Sequence, residues 1–316
     1  MKKLLLSILL AAGCVAAEGF ESFLNRAVEH SPYLKASHFR IAQSSQAGEV
    51  LKRYQNPDLL LEASYFDPDR SESEFGYRAG ISQPLRLWGV SNANDTLARA
   101  NTRLEKSNHT QIRAAFIRDI SLQYTEYAQQ ELFKTLALEE SALANKIYMI
   151  SNARYEAGTI SRGVMLQAKV DFKMVQAKAE SLELRKQRSY YLLLKRAEID
   201  EEINLESNHH FTFIAHQQNN PELLQLEYAH KSALANAEVY TNRVEWMSVE
   251  AEYEHEPEQD IYRVGASFPL AFFNTRSQEN RVAVLEASRT EMLHQNVQTR
   301  MEVEMKRLGL ESKSLH

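Results

Sequence analysis

Six charged residues stand at alternate positions in segments with a strand-like pattern: Glu62, Arg78, the run Glu250, Glu252 and Glu254, and Arg263. In a strand, residues two apart share a face, so each of these sits on a polar strand face. Four carboxylates against two guanidiniums leave such a face acidic. An acidic face lining a water-filled passage raises the local cation concentration and lowers the barrier to cation entry. That is the chemistry of sorting ions, not of making or breaking bonds. Among ten histidines, only His209, His210 and His216 lie close together. They fall in a polar connecting segment, where a surface loop is the ordinary reading and a weak metal site the alternative. The single cysteine, Cys14, excludes a disulfide framework and a thiolate metal centre. The chain carries no phosphate loop, dinucleotide fingerprint or nucleophile elbow. It is therefore expected not to be an enzyme, and to need neither cofactor nor metal. A net charge of −5 leaves no footprint for nucleic acid.

The elements that must carry these residues are long. The 316 residues are 44% apolar and 25% charged, with a mean hydropathy of −0.45. These values exclude a polytopic helical membrane protein and a disordered chain. Only ten glycines and seven prolines occur, less than half the usual share, so long uninterrupted helices are expected. Residues 1–17 read as a signal peptide. Lys2 and Lys3 precede an apolar stretch, and Val15-Ala16-Ala17 suits cleavage before Glu18. The alternative is a lipobox at Ala11-Ala12-Gly13-Cys14, which makes Cys14 a candidate lipidated first residue. No later apolar run reaches the ~20 residues of a spanning helix.

The mature chain reads as two repeats, 18–202 and 203–316. The first opens on helix 20–54, stopped by Asn56-Pro57. The period then changes from 3.6 to 2. Leu59, Leu61, Ala63 and Tyr65 alternate with Leu60, Glu62, Ser64 and Phe66. Phe75, Tyr77, Ala79 and Ile81 alternate with Gly76, Arg78, Gly80 and Ser82. Across a polar loop this is a β-hairpin, 58–84. A long helical hairpin, 90–200, follows. From Val90 to Tyr155 there is no Pro or Gly, and a narrow stripe runs through Ile112, Phe116, Ile120, Tyr124 and Tyr127. It resumes at Leu132, Leu136, Leu143, Ile147 and Ile150. Gly158 breaks the helix from a C′ position. The second helix carries Leu166, Val170, Met174 and Leu184.

The pattern then returns. Helix 221–243 opens on Asn220-Pro221. A second, separate hairpin spans 247–270, and a helix spans 277–308. Tyr262 to Leu270 (YRVGASFPL) matches Tyr77 to Leu85 (YRAGISQPL) at six of nine positions, at an offset of 185. All four strands have one apolar face and one polar face, and each is about nine residues long, the length that crosses a tilted bilayer span. A two-stranded hairpin is not stable in water by itself, and in lipid every sheet edge must be closed. Several chains must therefore contribute strands. The polar faces, with Glu62, Arg78, Glu250, Glu252, Glu254 and Arg263, are assigned to the lumen.

With this order of elements, the sequence resembles the outer-membrane efflux proteins, the TolC-like family. The most specific pieces are Asn56-Pro57-Asp58-Leu59, Ser82-Gln83-Pro84-Leu85 and Phe268-Pro269-Leu270. The wording around the strands is nearest the cobalt–zinc–cadmium efflux branch. Arg154 to Ser161 (RYEAGTIS) resembles the family's turn at the periplasmic end of the helical hairpin. The resemblance implies a mainly α fold with membrane β. It further implies a homotrimer with a β-barrel in the outer-membrane lipid of a Gram-negative bacterium and an α-barrel in the periplasm. Such a channel is passive. A periplasmic adaptor and an inner-membrane efflux pump are its implied partners, and metal cations or small toxic compounds its substrates. The adaptor-docking tip is expected at Arg154, Tyr155, Gly158, Thr159 and Ser161. One departure stands out: the second repeat is incomplete, its helical part about 71 residues shorter than the first. The alternatives are a periplasmic coiled-coil adaptor or scaffold, and a truncated, non-functional channel fragment.

Overall fold

A computed structural model describes residues 17–66, 74–211 and 220–314. The signal peptide with Cys14, apart from Ala17, and His216 lie outside the described residues. The elements run α1 (Phe20–His30), α2 (Pro32–Lys52), β1 (Asp58–Phe66), β2 (Glu74–Arg86), α3 (Trp88–Glu156), α4 (Arg162–Ala197), α5 (Pro221–Val239), β3 (Trp246–Glu256), β4 (Gln259–Ser267) and α6 (Ser277–Ser314). They divide into two compact units. One takes the described residues of Met1–Lys35 and Ile112–Ala215, the other those of Ala36–Gln111 and His216–His316. None of the described helices is long and apolar enough to cross a membrane.

The first unit is the helical hairpin. Apolar residues three and four apart place Phe20, Phe23 and Ala27 on one buried face of α1. They meet Phe116, Ile120, Tyr124 and Tyr127 of α3 and Leu193, Leu194 and Ala197 of α4. The break before α2 is capped twice. Ser31, fully buried, accepts the Leu34 N–H through Oγ at 3.1 Å and donates to Glu198 Oε2 at 2.6 Å. Glu198 itself closes α4 in the left-handed region, at φ 58°. Further along, α3 and α4 run antiparallel, tied by Lys134–Glu183 at 2.8 Å, Lys178–Glu140 at 2.8 Å and Lys186–Glu131. Tyr148 stacks on Phe172 near the turn.

The stripe expected along the whole of α3 is used by the core only in part. Phe116 to Tyr127 is buried, whereas Leu132, Leu136, Leu143, Ile147 and Ile150 are exposed. The physical reason is the register. The seam between α3 and α4 is filled by the small, buried Ala137 and Ala179 and flanked by ion pairs. The large aliphatic residues are thereby turned outward. Leu166, Val170, Met174 and Leu184 of α4 are exposed as well.

The segment after α4 is held by phenols. Tyr190 OH donates to the Ile203 carbonyl at 2.7 Å, Tyr127 OH to Leu205 at 3.3 Å and Tyr124 OH to Glu206 at 2.8 Å. Glu18 bonds the same stretch from its other side, its N–H on Asn204 O at 2.7 Å and its carbonyl accepting the Glu206 N–H at 3.0 Å. Burial pushes the Tyr127 phenol up to about 12 and the Tyr124 phenol upward, so both stay protonated donors.

In the second unit, α5 and α6 pack together. Asn220 caps α5, its Oδ1 accepting the N–H groups of Glu222 at 2.7 Å and Leu223 at 3.3 Å. The first part of α3 lies against α2, where Gly48 lets the helices approach. A Cβ there would stand 2.9 Å from Ala98 Cβ. The two hairpins are not separate, as the alternation alone suggests. They join through β2 and β3 into one antiparallel sheet of order β1-β2-β3-β4. Ile81 pairs with Ala251 and Ser82 with Glu250. Backbone groups left free by a lone hairpin explain the pairing: each hairpin satisfies an edge of the other. Element ends shift too. Helix α5 stops at Val239, before the turn-forming Tyr240 and Thr241, rather than at 243. Strand β4 stops at Ser267, so Phe268-Pro269-Leu270 leaves the sheet, and α6 continues to Ser314 rather than 308.

Candidate functional site

Two places gather the residues singled out by sequence. The first is the turn between α3 and α4. Gly158 sits at φ 74°, the left-handed conformation that a side chain strains. Its N–H bonds the Tyr155 carbonyl and the Thr159 N–H bonds the Arg154 carbonyl, each at 2.9 Å. This pair of bonds satisfies the orphan carbonyls of the helix end. Thr159 Oγ1 adds a third bond to Arg154 O at 2.9 Å. Ser161 caps α4 by accepting the Val164 N–H at 3.4 Å. Gly158, Thr159 and Ser161 thus build the turn. The side chains of Arg154 and Tyr155 are exposed, and among the described residues neither makes a hydrogen bond or ion pair.

The second place is the sheet. Its register puts Glu62, Arg78, Glu250, Glu252, Glu254 and Arg263 on one face. Arg78 pairs with Glu62, its Nε at 2.9 Å, and reaches Glu252 at 4.0 Å. Arg263 pairs with Glu254 and, at 3.6 Å, with Glu252. Glu250 has no cation among the described residues. It accepts a hydrogen bond from Ser267 Oγ at 3.0 Å, and Ser82 and Gly265 stand opposite it. The other face carries Leu59, Leu61, Tyr65, Phe75, Tyr77, Ile81, Val249, Tyr262 and Val264, all exposed; Leu61 is 70% and Val264 85% accessible. A face this apolar and this uncovered requires lipid or another chain against it.

Of the three neighbouring histidines, His216 lies outside the described residues. His209 stacks in an aromatic cluster with Phe20 and Phe211 at 4.8 Å from each. Among the described residues, no group of three His, Cys, Asp or Glu could hold a metal. Sequence reading also missed a junction. The side chain of Arg86, 7% exposed, lies over Trp246 at 4.4 Å, donates to the Leu51 carbonyl at 2.5 Å and stands 3.5 Å from Glu245. Arg276 approaches the same Glu245 at 3.5 Å and lies over Tyr240. The only signal was an arginine directly after the Pro-Leu that ends each matched segment's first copy, too common a residue to single out.

A meander of four strands with one apolar exposed face, and a long helical hairpin, are the elements of an outer-membrane channel subunit. The family described as outer membrane efflux protein matches residues 23–194, more than half of the chain, and the chain belongs to that family. Its fold is similar to that of CusC, whose structure concerns transmembrane channel formation (TM-score 0.73, 11% identity, covering 92% of this chain and 75% of that one). It is also similar to the outer membrane protein VceC of Vibrio cholerae (0.72, 14%, 94% and 79%). A third likeness is to the CmeC outer membrane channel of Campylobacter jejuni (0.67, 12%, 89% and 67%). None of the curated proteins matches the sequence.

Proposed function

We propose that this chain is one subunit of a homotrimeric outer-membrane efflux channel. The observation that carries the reading is the sheet. It has one exposed apolar face, one charged face, and its outer strands β1 and β4 at open edges. Lipid tolerates such a sheet only when the edges are closed. Three copies supply twelve strands, with the charged faces inward around a water-filled lumen and the apolar faces outward. Membership of the efflux family supports the same arrangement. The leader 1–17 is removed on export to a Gram-negative outer membrane, and 18–202 and 203–316 act as two repeats of one plan. The helical part projects into the periplasm, where Arg154 and Tyr155 at the α3–α4 turn meet a periplasmic adaptor. An inner-membrane pump supplies the energy. The acidic balance of the lumen face favours cations, including metal cations, over anions, and small toxic compounds also fit a passive, wide lumen.

The test is fractionation followed by reconstitution. Mature chain should be found in outer membranes, require detergent for extraction, run as a trimer and conduct ions in planar bilayers. A monomer recovered without detergent would overturn the reading. The intact mass of the mature chain decides between Glu18 and an acylated Cys14 as its first residue.

A further inference from the structure

The helix pair α2–α3 has a counterpart in α5–α6. Residues 46–50 are echoed by 235–239, at an offset of 189, and Tyr77–Leu85 by Tyr262–Leu270, at 185. Carried onto the helices, these offsets match Gly48 with Ala237 and Ala98 with Ala283. All four are buried. The contacts keep the same spacing. Lys52 reaches Asp95 at 3.5 Å, and Asn280, the counterpart of Asp95, donates to Ala237 O at 2.8 Å.

The small residues where α2 meets α3 leave a trough of about 300 Å³, with Gly48 and Ala98 at its floor. Its walls carry four cations, Lys52 from α2 and Arg99, Arg103 and Lys106 from α3. Two carboxylates answer only two of them. Lys52 bonds Glu49 at 2.9 Å and Asp95 at 3.5 Å, and Arg99 bonds Asp95 at 2.5 Å. Arg103 and Lys106 are exposed, and among the described residues neither has a carboxylate partner. Arg99, Arg103 and Lys106 follow at steps of four and three, so like charges crowd one face of α3, which works against the helix. Ser45 adds a hydroxyl at the rim, without a hydrogen-bond partner among the described residues. Helix packing does not ask for these charges. In the second pair the four cationic positions are taken by Thr241, Val284, Ser288 and Glu291. The same small residues are buried there with no cation beside them.

We infer that the α2–α3 trough binds the phosphate group of a small soluble compound. Two positive charges are left over, and a phosphate monoester carries about −1.5 to −2 at pH 7 with three acceptor oxygens, whereas a carboxylate answers one charge. The planar guanidinium of Arg103 matches two phosphate oxygens at once, and the Lys106 ammonium adds a point charge. Phosphate also stands on lipid headgroups, and the choice of a soluble source rests on the channel reading above. Arg103 lies fifteen residues into α3 from Trp88, ~22 Å along the helix. A headgroup layer reaches only about 5–8 Å beyond the hydrocarbon.

The test is equilibrium dialysis of the mature, detergent-solubilised chain against radiolabelled inorganic phosphate at low ionic strength. One phosphate should bind per chain. Arg103→Gln with Lys106→Gln, at exposed helix positions that glutamine fills well, should weaken binding roughly tenfold or more, because two charge-assisted hydrogen bonds are lost, and leave helicity unchanged. Arg185→Gln with Arg188→Gln removes the same charge from exposed positions of α4 and should leave binding as it was. No saturable binding, equal binding by the Arg103/Lys106 variant, or an equal loss in the α4 variant would overturn the site. In phosphatidylglycerol vesicles the difference between the unaltered chain and the Arg103/Lys106 variant should persist. Its disappearance there would make a lipid headgroup the occupant and overturn the soluble source. The dialysis does not depend on a channel: a monomer recovered without detergent that binds phosphate in this way would remove the channel reading alone.

Discussion

Single side chains divide into those that build and those that are left over. Tyr124 builds: it is fully buried, and its hydroxyl donates to Glu206 O and accepts the His209 N–H at 3.3 Å. Tyr124→Phe keeps the ring and strands both partners. It should lower stability by about 1–3 kcal/mol, read as a shift in the thermal unfolding of the detergent-solubilised chain, and Phe211 should become more accessible. An unchanged midpoint would show that the hydroxyl bonds add nothing. Arg154 and Tyr155 are left over. Their carbonyls close the turn, but their side chains do not. Changing both to Ala should therefore leave helicity unaltered and weaken crosslinking of an adaptor to a photoreactive residue at Arg162, the exposed first residue of α4. Equal crosslinking in both chains would remove the docking assignment. Ser161 is a poor place for the crosslinker, because it caps α4.

At the scale of elements, the α3–α4 hairpin and the sheet respond to different perturbations. The hairpin is laced by charges beyond its aromatic core. The Lys134 ammonium bonded to Glu183 holds that carboxyl below its ordinary value of 4.5. A depressed folded value means that the stabilisation is present above the unfolded value and disappears as pH falls through the folded one. The hairpin should consequently loosen below about pH 4.5, and Glu183→Gln should remove that part of the pH dependence. Thermal melts across this range, wild type against variant, check it. The sheet depends on its apolar face instead. Lys at Ala79 or Ala251 places an ammonium between Leu61 and Tyr253, or opposite Ile81 and Val264. Near a bilayer midplane this costs roughly 2–4 kcal/mol, so less chain should resist urea extraction from outer membranes. A Lys at Glu250, on the other face, should be tolerated. Equal tolerance on both faces would mean that neither face meets lipid.

For the whole molecule, the quantity at stake is the charge of the sheet's polar face, proposed to line the lumen. Arg78 and Arg263 are engaged by Glu62, Glu252 and Glu254, which leaves Glu250 as the carboxylate of this face without a cation among the described residues. In a trimer these contribute a ring of three. Reconstituted channels should prefer cations in a salt gradient, more at low ionic strength, where the screening length grows. Glu250→Gln combined with Glu252→Gln and Glu254→Gln should reduce or reverse the preference. Anion preference in the unaltered channel would leave substrate choice wholly to the pump.

Much of this protein is written locally. The period of 3.6 over α3, the period of 2 in 59–66 and 75–82, the break at Gly158 and the repeated YR.G.S.PL segment each depend on neighbours a few residues apart. Local steric and hydrophobic preference is sufficient to specify such features. The two faces of the sheet were legible for the same reason, since alternation alone assigns them. What sequence could not decide depends on partners distant along the chain. The joining of β2 to β3 pairs residues about 170 apart, such as Ser82 and Glu250, and no periodicity encodes which edge meets which. The outward turn of Leu132 to Ile150 follows from the register of α4, which brings Ala137 and Ala179 into the seam. The clamp of Arg86 and Arg276 on Glu245, and the engagement of three of the four glutamates of the polar face by two arginines, exist only once four strands lie side by side. Composition told how many charges there are. Tertiary structure decided which remain free to act, because a Coulombic pair forms by distance in space and not along the chain.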